Sequence, residues 1–261
     1  MDLRRRARKH MTQQGRFLKA EWNNLAMFNY AVEPSLLQPF VPLGTELDGF
    51  EGRTYVSLIG FEFNRTRVCG IAVPFHRSFE EVNLRFYVKR AARRGVVFIR
   101  ELVPKYAVAA IARRAFGEKY SCVPMSHRVS ARKEDGAIEA EYSWGPARNR
   151  CRMRLVAEGA SHLPGDGSLA QFITEHYWGY AAQRDGGSLE YEVQHPQWPV
   201  REAQSAEFWG DSSCFYGPVF AMLLSGAPDS GFFVEGSPVT VFKGARIHGK
   251  ALGRKDHVHD R

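Results

Sequence analysis

The sequence predicts an α+β fold built mostly of antiparallel β-strands, with the sheet closed or nearly closed and a few helices outside it. Three observations predict this. Short runs of β-branched and aromatic residues recur along the chain, turn signals join consecutive runs into hairpins, and helical periodicity appears in only a few places. The order β, β, helix, β, β, helix, β, helix, β does not suit a doubly wound parallel sheet. Closure is the better solution because it removes exposed sheet edges.

The elements follow in order. Residues 34–40 read as a short helix stopped near Pro42. Residues 54–63 (TYVSLIGFEF) read as a strand. Residues 81–88 (EVNLRFYV) alternate: Val82, Leu84, Phe86 and Val88 face one way, and Glu81, Asn83, Arg85 and Tyr87 the other. Arg93-Arg94-Gly95 is read as the turn into a second strand at 96–103, making a hairpin. Residues 104–116 suit a helix opened by Pro104 and ended by Arg113, Arg114 and Gly117. Residues 138–144 and 150–157 form a second hairpin around Gly145-Pro146, with Cys151, Met153 and Leu155 opposite Arg152 and Arg154. Residues 168–180 are expected to be a helix capped by Ser168 and Gln171, with His176 inside an apolar stripe and Tyr180 on it. Residues 189–195 and 239–247 are further strands, and 217–224 a further helix.

Hydrophobic residues are 44% and aromatics 13% of 261 residues, enough for a substantial core. The reading is one domain over 15–248, between a basic tail at 1–14 and a second tail at 249–261. No apolar run approaches the roughly 20 residues that cross a bilayer, and no apolar segment of the signal-peptide kind follows the basic start. The expected location is therefore the cytoplasm, with no membrane partner. The net charge of +8 invites nucleic acid, but much of it sits in the exposed runs at the ends. A nucleic-acid partner is thus not expected, and the oligomeric state is left open, a homo-oligomer included. The four cysteines lie far apart without a C-x-x-C pair, which suits buried reduced thiols rather than disulfides or zinc. No metal and no cofactor is expected. Nucleotide-binding, zinc-protease and α/β-hydrolase motifs are absent from the sequence.

Candidate site residues come from the alternating strand. If the sheet closes, the face bearing Glu81, Asn83 and Arg85 turns inward, where a carboxyl and a guanidinium need partners. Arg100 and Glu101 end the next strand and are expected at the same interior. His176 and Tyr180 join them from the 168–180 segment. Glu81, buried, is the candidate acid or base.

Several of these segments, in this order, resemble the YqjF-like family. They include residues 22–30 (WNNLAMFNY), Phe40-Val41-Pro42, 55–61 (YVSLIGF), Pro74-Phe75-His76, 81–88, 95–99, Glu118-Lys119-Tyr120, Pro124-Met125, 174–180 (TEHYWGY) and 195–199 (HPQWP). The likeness spans residues 16–247. It implies the acetoacetate decarboxylase-like fold, a cone-shaped β-barrel with a small interior cavity, in a family without an established activity. The decarboxylase forms a Schiff base on a lysine activated by a second lysine. Here Arg100-Glu101-Leu102 leads to Val103-Pro104-Lys105, no Lys-Lys pair occurs, and Lys119 lies well downstream. The resemblance puts Asn23 where the decarboxylase has its cavity arginine and Ser57 where it has one glutamate, and it matches the other glutamate to Glu81. The expectation is a protein that binds a small organic, keto-acid-like ligand in the barrel cavity. The alternative is an enzyme acting on a keto acid or related carbonyl compound without the lysine pair.

Overall fold

The computed structural model describes residues 15–72, 74–132 and 136–248; both expected tails, 1–14 and 249–261, lie outside the described residues. In chain order the elements are β1 (Arg16–Val32), α1 (Pro34–Leu37), β2 (Glu46–Leu47), β3 (Thr54–Val68), β4 (Phe79–Arg90) and β5 (Arg93–Val103). Then come α2 (Tyr106–Phe116), β6 (Tyr120–Cys122), β7 (Met125–Ala131), β8 (Ile138–Trp144), β9 (Cys151–Ala157), α3 (Leu169–Thr174) and β10 (Trp178–Ala182). The chain continues through β11 (Ser188–Gln194), β12 (Arg201–Trp209), α4 (Ser213–Tyr216), α5 (Pro218–Leu224), β13 (Ser230–Phe242) and β14 (Ala245–Ile247). No helix among the described residues is long and apolar enough to cross a membrane.

The strands form a ring. β1 pairs with β3, β3 with β4 and β4 with β5; β5 takes β10 in parallel; β10 pairs with β11 and β11 with β13, which returns to β1. From β13 the sheet continues outward through β12, β9, β8 and β7. This second layer packs on the outside of the ring. Leu84 and Phe86 of β4 share a core there with Tyr142, Trp144, Met153 and Leu155. Tyr142 docks against Gly60, where a Cβ would come within 2.6 Å of the ring carbons. Its hydroxyl donates to the carbonyl of Asn24 at 2.7 Å, at a bulge where Asn24 takes φ 56°.

Both faces of β4 are therefore buried, and the period-two alternation sorts its residues between two interiors. The apolar set faces the second layer; Glu81, Asn83 and Arg85 face into the ring. One end of the ring is closed by α3, whose Phe172 meets the rings of Tyr87 at 5.1 Å and Tyr55 at 6.0 Å. At the other end lies α2, with Ala109 and Phe116 buried beneath it. Gly117 ends α2 in the left-handed region at φ 72°, as its sequence predicts.

Several elements differ from the expectation. The β4–β5 turn is Ala91-Ala92, with Ala91 at φ 52°, and Arg93 and Arg94 belong to the strand. Carboxylates fix the two arginines there: Arg93 Nη1 donates to Glu190 at 2.5 Å and Arg94 Nε to Asp48 at 2.7 Å. The 168–180 segment is not one helix. It stops at Thr174, and residues 178–182 join the ring as β10, because pairing with β5 and β11 draws the Trp178-Gly179-Tyr180 run into extended backbone. Pro104 precedes α2 rather than opening it, and the 239–247 strand is interrupted between β13 and β14. Of the cysteines only Cys151 is buried; Cys69, Cys122 and Cys214 are exposed free thiols.

The Ser168 cap is present: its Oγ accepts from the Gln171 amide at 3.1 Å. Because α3 has only six residues, this cap matters to the end of the ring that it closes. Ser168→Ala is expected to cost about 1 kcal/mol, read as a lower urea midpoint at unchanged slope.

Candidate functional site

Inside the ring lies a cavity of about 140 Å³. The alternation of β4 places Arg85, Asn83, Glu81 and Phe79 along it in that order. Glu101 enters from β5, directly across from Asn83 in the strand register. Glu118 and Tyr120 come from β6 and the residues before it. Tyr191 comes from β11 and His176 from the loop between α3 and β10.

The polar groups are joined in part. Asn83 Nδ2 donates to Glu81 Oε1 at 3.0 Å, and the Tyr120 hydroxyl donates to Glu81 Oε2 at 2.9 Å. The Tyr191 hydroxyl donates to Glu118 Oε1 at 2.8 Å. Arg85 Nη2 donates to the Ile173 carbonyl at 3.3 Å. Four of these residues keep buried polar atoms without a hydrogen-bond partner: Glu101 Oε2, Asn83 Oδ1, Arg85 Nε and both ring nitrogens of His176.

Burial in an apolar enclosure raises the proton affinity of three carboxyls, and for Glu101 and Glu118 a neighbouring carboxylate adds to it. Burial pushes Glu81 up to about 7, opposed by the hydrogen bonds from Asn83 and Tyr120 and by the charge of Arg85. Glu118 is pushed up to about 8, again chiefly by burial. Glu101 is held well above the ordinary carboxyl range by burial, then by the charges of Glu118 and Glu81. His176 is held well below its ordinary range by burial and by the nearby arginines Arg85 and Arg94. Its Nε2 lies 4.0 Å from Asp48 Oδ2, and its ring rests on Tyr87 at 4.6 Å. At neutral pH the cavity therefore holds a neutral imidazole and carboxyls able to carry protons, beside one guanidinium.

Of the residues expected at the site, Glu81, Asn83, Arg85, Glu101 and His176 line the cavity; Arg100 and Tyr180 do not. Arg100 neighbours Glu101 on a strand and so points to the opposite face, where Nη1 donates to Ser121 Oγ at 3.3 Å. Tyr180 lies on β10 instead of a helix and is buried in the outer core with Phe86 and Val88. Asn23 and Ser57 also lie off the cavity lining; Ser57 Oγ donates to Asn29 Oδ1 at 2.6 Å. No lysine lines the cavity among the described residues, and Lys119 sits against the Phe40 ring at 5.4 Å. Glu118 and Tyr120 enter the sequence reading only within the resembling Glu-Lys-Tyr segment, and neither they nor Tyr191 are given a site role there. The signal for the first two was the Glu-Lys-Tyr alternation just after a helix stop, which sets Glu118 and Tyr120 on one side and Lys119 on the other.

A ring of strands around such a cavity, flanked by a second layer, is similar in fold to acetoacetate decarboxylase. Among solved structures, the enduracididine biosynthesis enzyme MppR complexed with pyruvate is 12% identical with a TM-score of 0.62, covering 88% of this chain and 90% of that one. Acetoacetate decarboxylase from Legionella pneumophila is 14% identical with a TM-score of 0.60, over 89% of this chain and 86% of that one. These likenesses carry the fold alone. The chain belongs to the DUF2071 family, "Uncharacterized conserved protein (COG2071)", which it matches over residues 19–236. The "Uncharacterized protein YqjF" of Bacillus subtilis (strain 168) is 26% identical over 199 residues, 72% of this chain and 76% of that protein.

Proposed function

We propose that the protein binds a small organic acid of the keto-acid kind in this cavity, with its carboxylate on Arg85. One observation carries the reading. Arg85 is 9% exposed and lines the cavity, and no carboxylate among the described residues forms an ion pair with it. Leaving a buried guanidinium without a counter-ion is costly by several kcal/mol, and a ligand carboxylate removes that cost. The planar fork of arginine suits the two oxygens of a carboxylate. The protonated carboxyls beyond it supply donors for a carbonyl oxygen. MppR, which shares the fold, has been captured with pyruvate, itself a keto acid.

Thermal unfolding with a panel of keto acids tests this. Ligand at 100 times its dissociation constant is expected to stabilise the wild type by about 2.7 kcal/mol. Arg85→Met is expected to remove most of that stabilisation. A wild type unmoved by every carboxylate at millimolar concentration, or an equal response from Arg85→Met, sinks the reading.

A second reading is an enzyme using Glu81 as acid and base on such a ligand. Its support is the Glu81 pKa near 7, in the range that suits proton transfer at neutral pH, and the two donors that orient the carboxyl. Glu81 would take a proton from the carbon beside a ketone and return it. Exchange of those protons for deuterium, followed by NMR, is expected to require the protein and to be lost in Glu81→Gln. Exchange at the uncatalysed rate in the wild type removes this version and leaves the binding reading standing.

A further inference from the structure

The cavity changes character along its length. Residues facing it from β4 are Arg85, Asn83 and Glu81, and then Phe79. Successive members are roughly 7 Å apart along the strand, so Arg85 and Phe79 are separated by about 20 Å of backbone. On the neighbouring strand β3, the cavity-facing residues run through Ile59, Phe61, Phe63 and Thr66 to Val68. The Arg85 end is closed by α3 and His176, with both Arg85 and His176 buried. At the other end the lining is mostly apolar, with Thr66 and His76 as polar members, and partly open. α2 turns Val108 and Ile111 toward the cavity, and Ile111 remains 40% exposed. A pyruvate-sized acid seated on Arg85 would occupy the polar end and leave this apolar stretch facing water.

We infer that the ligand is an organic acid carrying an apolar side chain, aryl or branched alkyl, with its carboxylate at Arg85 and its side chain reaching past Glu81 toward the mouth under α2. This rests on the organic-acid reading and names its substrate class. The volume is in keeping: an apolar cavity of about 150 Å³ takes up a benzene ring. The space near 140 Å³ here is that of the whole cavity, polar end included, so the ring would extend to the mouth where Ile111 is partly exposed. A dicarboxylate fits this lining less well, because among the described residues no arginine or lysine lines the stretch around Phe61, Phe63 and Phe79 to take its second charge.

The test is a binding series by calorimetry on the full chain: pyruvate, 4-methyl-2-oxopentanoate, phenylpyruvate, 2-oxoglutarate and the neutral 3-phenylpropanol. Phenylpyruvate is expected to bind tighter than pyruvate by about tenfold or more, from burial of the ring. The doubly substituted Val108→Ser/Ile111→Ser protein is expected to lose most of that preference, read as the ratio of the two affinities. Both positions lie on the partly exposed face of α2, so the fold is kept. Equal binding of pyruvate and phenylpyruvate, with both lost in Arg85→Met, overturns the side-chain inference and leaves the organic-acid reading intact. So does tightest binding of 2-oxoglutarate. Failure of every acid to bind, or 3-phenylpropanol binding as tightly as phenylpyruvate, overturns the organic-acid reading itself.

Discussion

Glu118→Gln is expected to stabilise the protein above pH 8 by up to about 5 kcal/mol and to change nothing at pH 4. Burial raises the Glu118 carboxyl from its ordinary 4.5 to about 8. Between those values the folded chain holds a proton that the unfolded chain has released. Each pH unit in that interval lowers the unfolding free energy by about 1.4 kcal/mol. The proton's contribution is intact below 4.5 and is lost as pH rises to about 8. Glutamine cannot ionise, so the variant escapes the loss, and its carbonyl can still accept from Tyr191. The wild type itself is expected to lose stability from pH 6.5 to 8, where Glu81 and Glu101 act in the same direction. His176 and His195 act in the opposite direction, but only below about pH 6.5, where the unfolded imidazoles gain protons that the buried ones refuse. Urea titrations at several pH values check both statements. A variant no more stable than the wild type at pH 9 would remove the claim that Glu118 is protonated in the fold.

Gly179→Ala is expected to cost about 3 kcal/mol and to disorder Tyr191. Gly179 lies directly across from Tyr191 in the β10–β11 register. A Cβ at that position would fall inside the contact distance of the Tyr191 ring carbons. The backbone there is extended and would accept alanine, so the penalty is steric alone. Moving the ring also breaks the hydroxyl's bond to Glu118. In a Tyr191→Ala background the same substitution should cost little, since the clashing ring is gone. An equal cost in both backgrounds would mean that the glycine is needed for another reason.

Much of the fold was legible because β4 states its own geometry. Four apolar residues alternating with Glu81, Asn83, Arg85 and Tyr87 can be buried on both sides only if the polar face meets a second interior. The hairpin of β8 and β9 was legible for the same reason. β1, β7 and β12 went unread as strands. In β1 the bulge at Asn24 breaks the alternation, and in β7 and β12 polar residues on the exposed face dilute it. The 168–180 segment misled because its apolar spacing suits a helix, whereas β10 is shaped by partners distant in sequence, Gly95-Val96 and residues 188–192. Arg100 and Tyr180 were misplaced by the same limit. Once the strand phase is known, neighbours of an inward residue point outward, and that phase is set by pairing rather than by local composition.

The closing seam of the ring joins the two ends of the sequence, with Asn29 on β1 opposite Ser230 on β13 and Arg16 opposite Phe242. During synthesis β1 can pair with β3 early, but its other edge must wait for nearly two hundred further residues. At about 5–20 residues per second that wait is roughly 10–40 s on the ribosome. For that period the nascent chain presents an unsatisfied edge of aromatic and aliphatic residues, a template for association with other chains. Sequence separation of this size also slows the final closure in free solution. Recovery of native protein should thus depend more on chaperones and on dilution during refolding than the depth of its core alone would suggest.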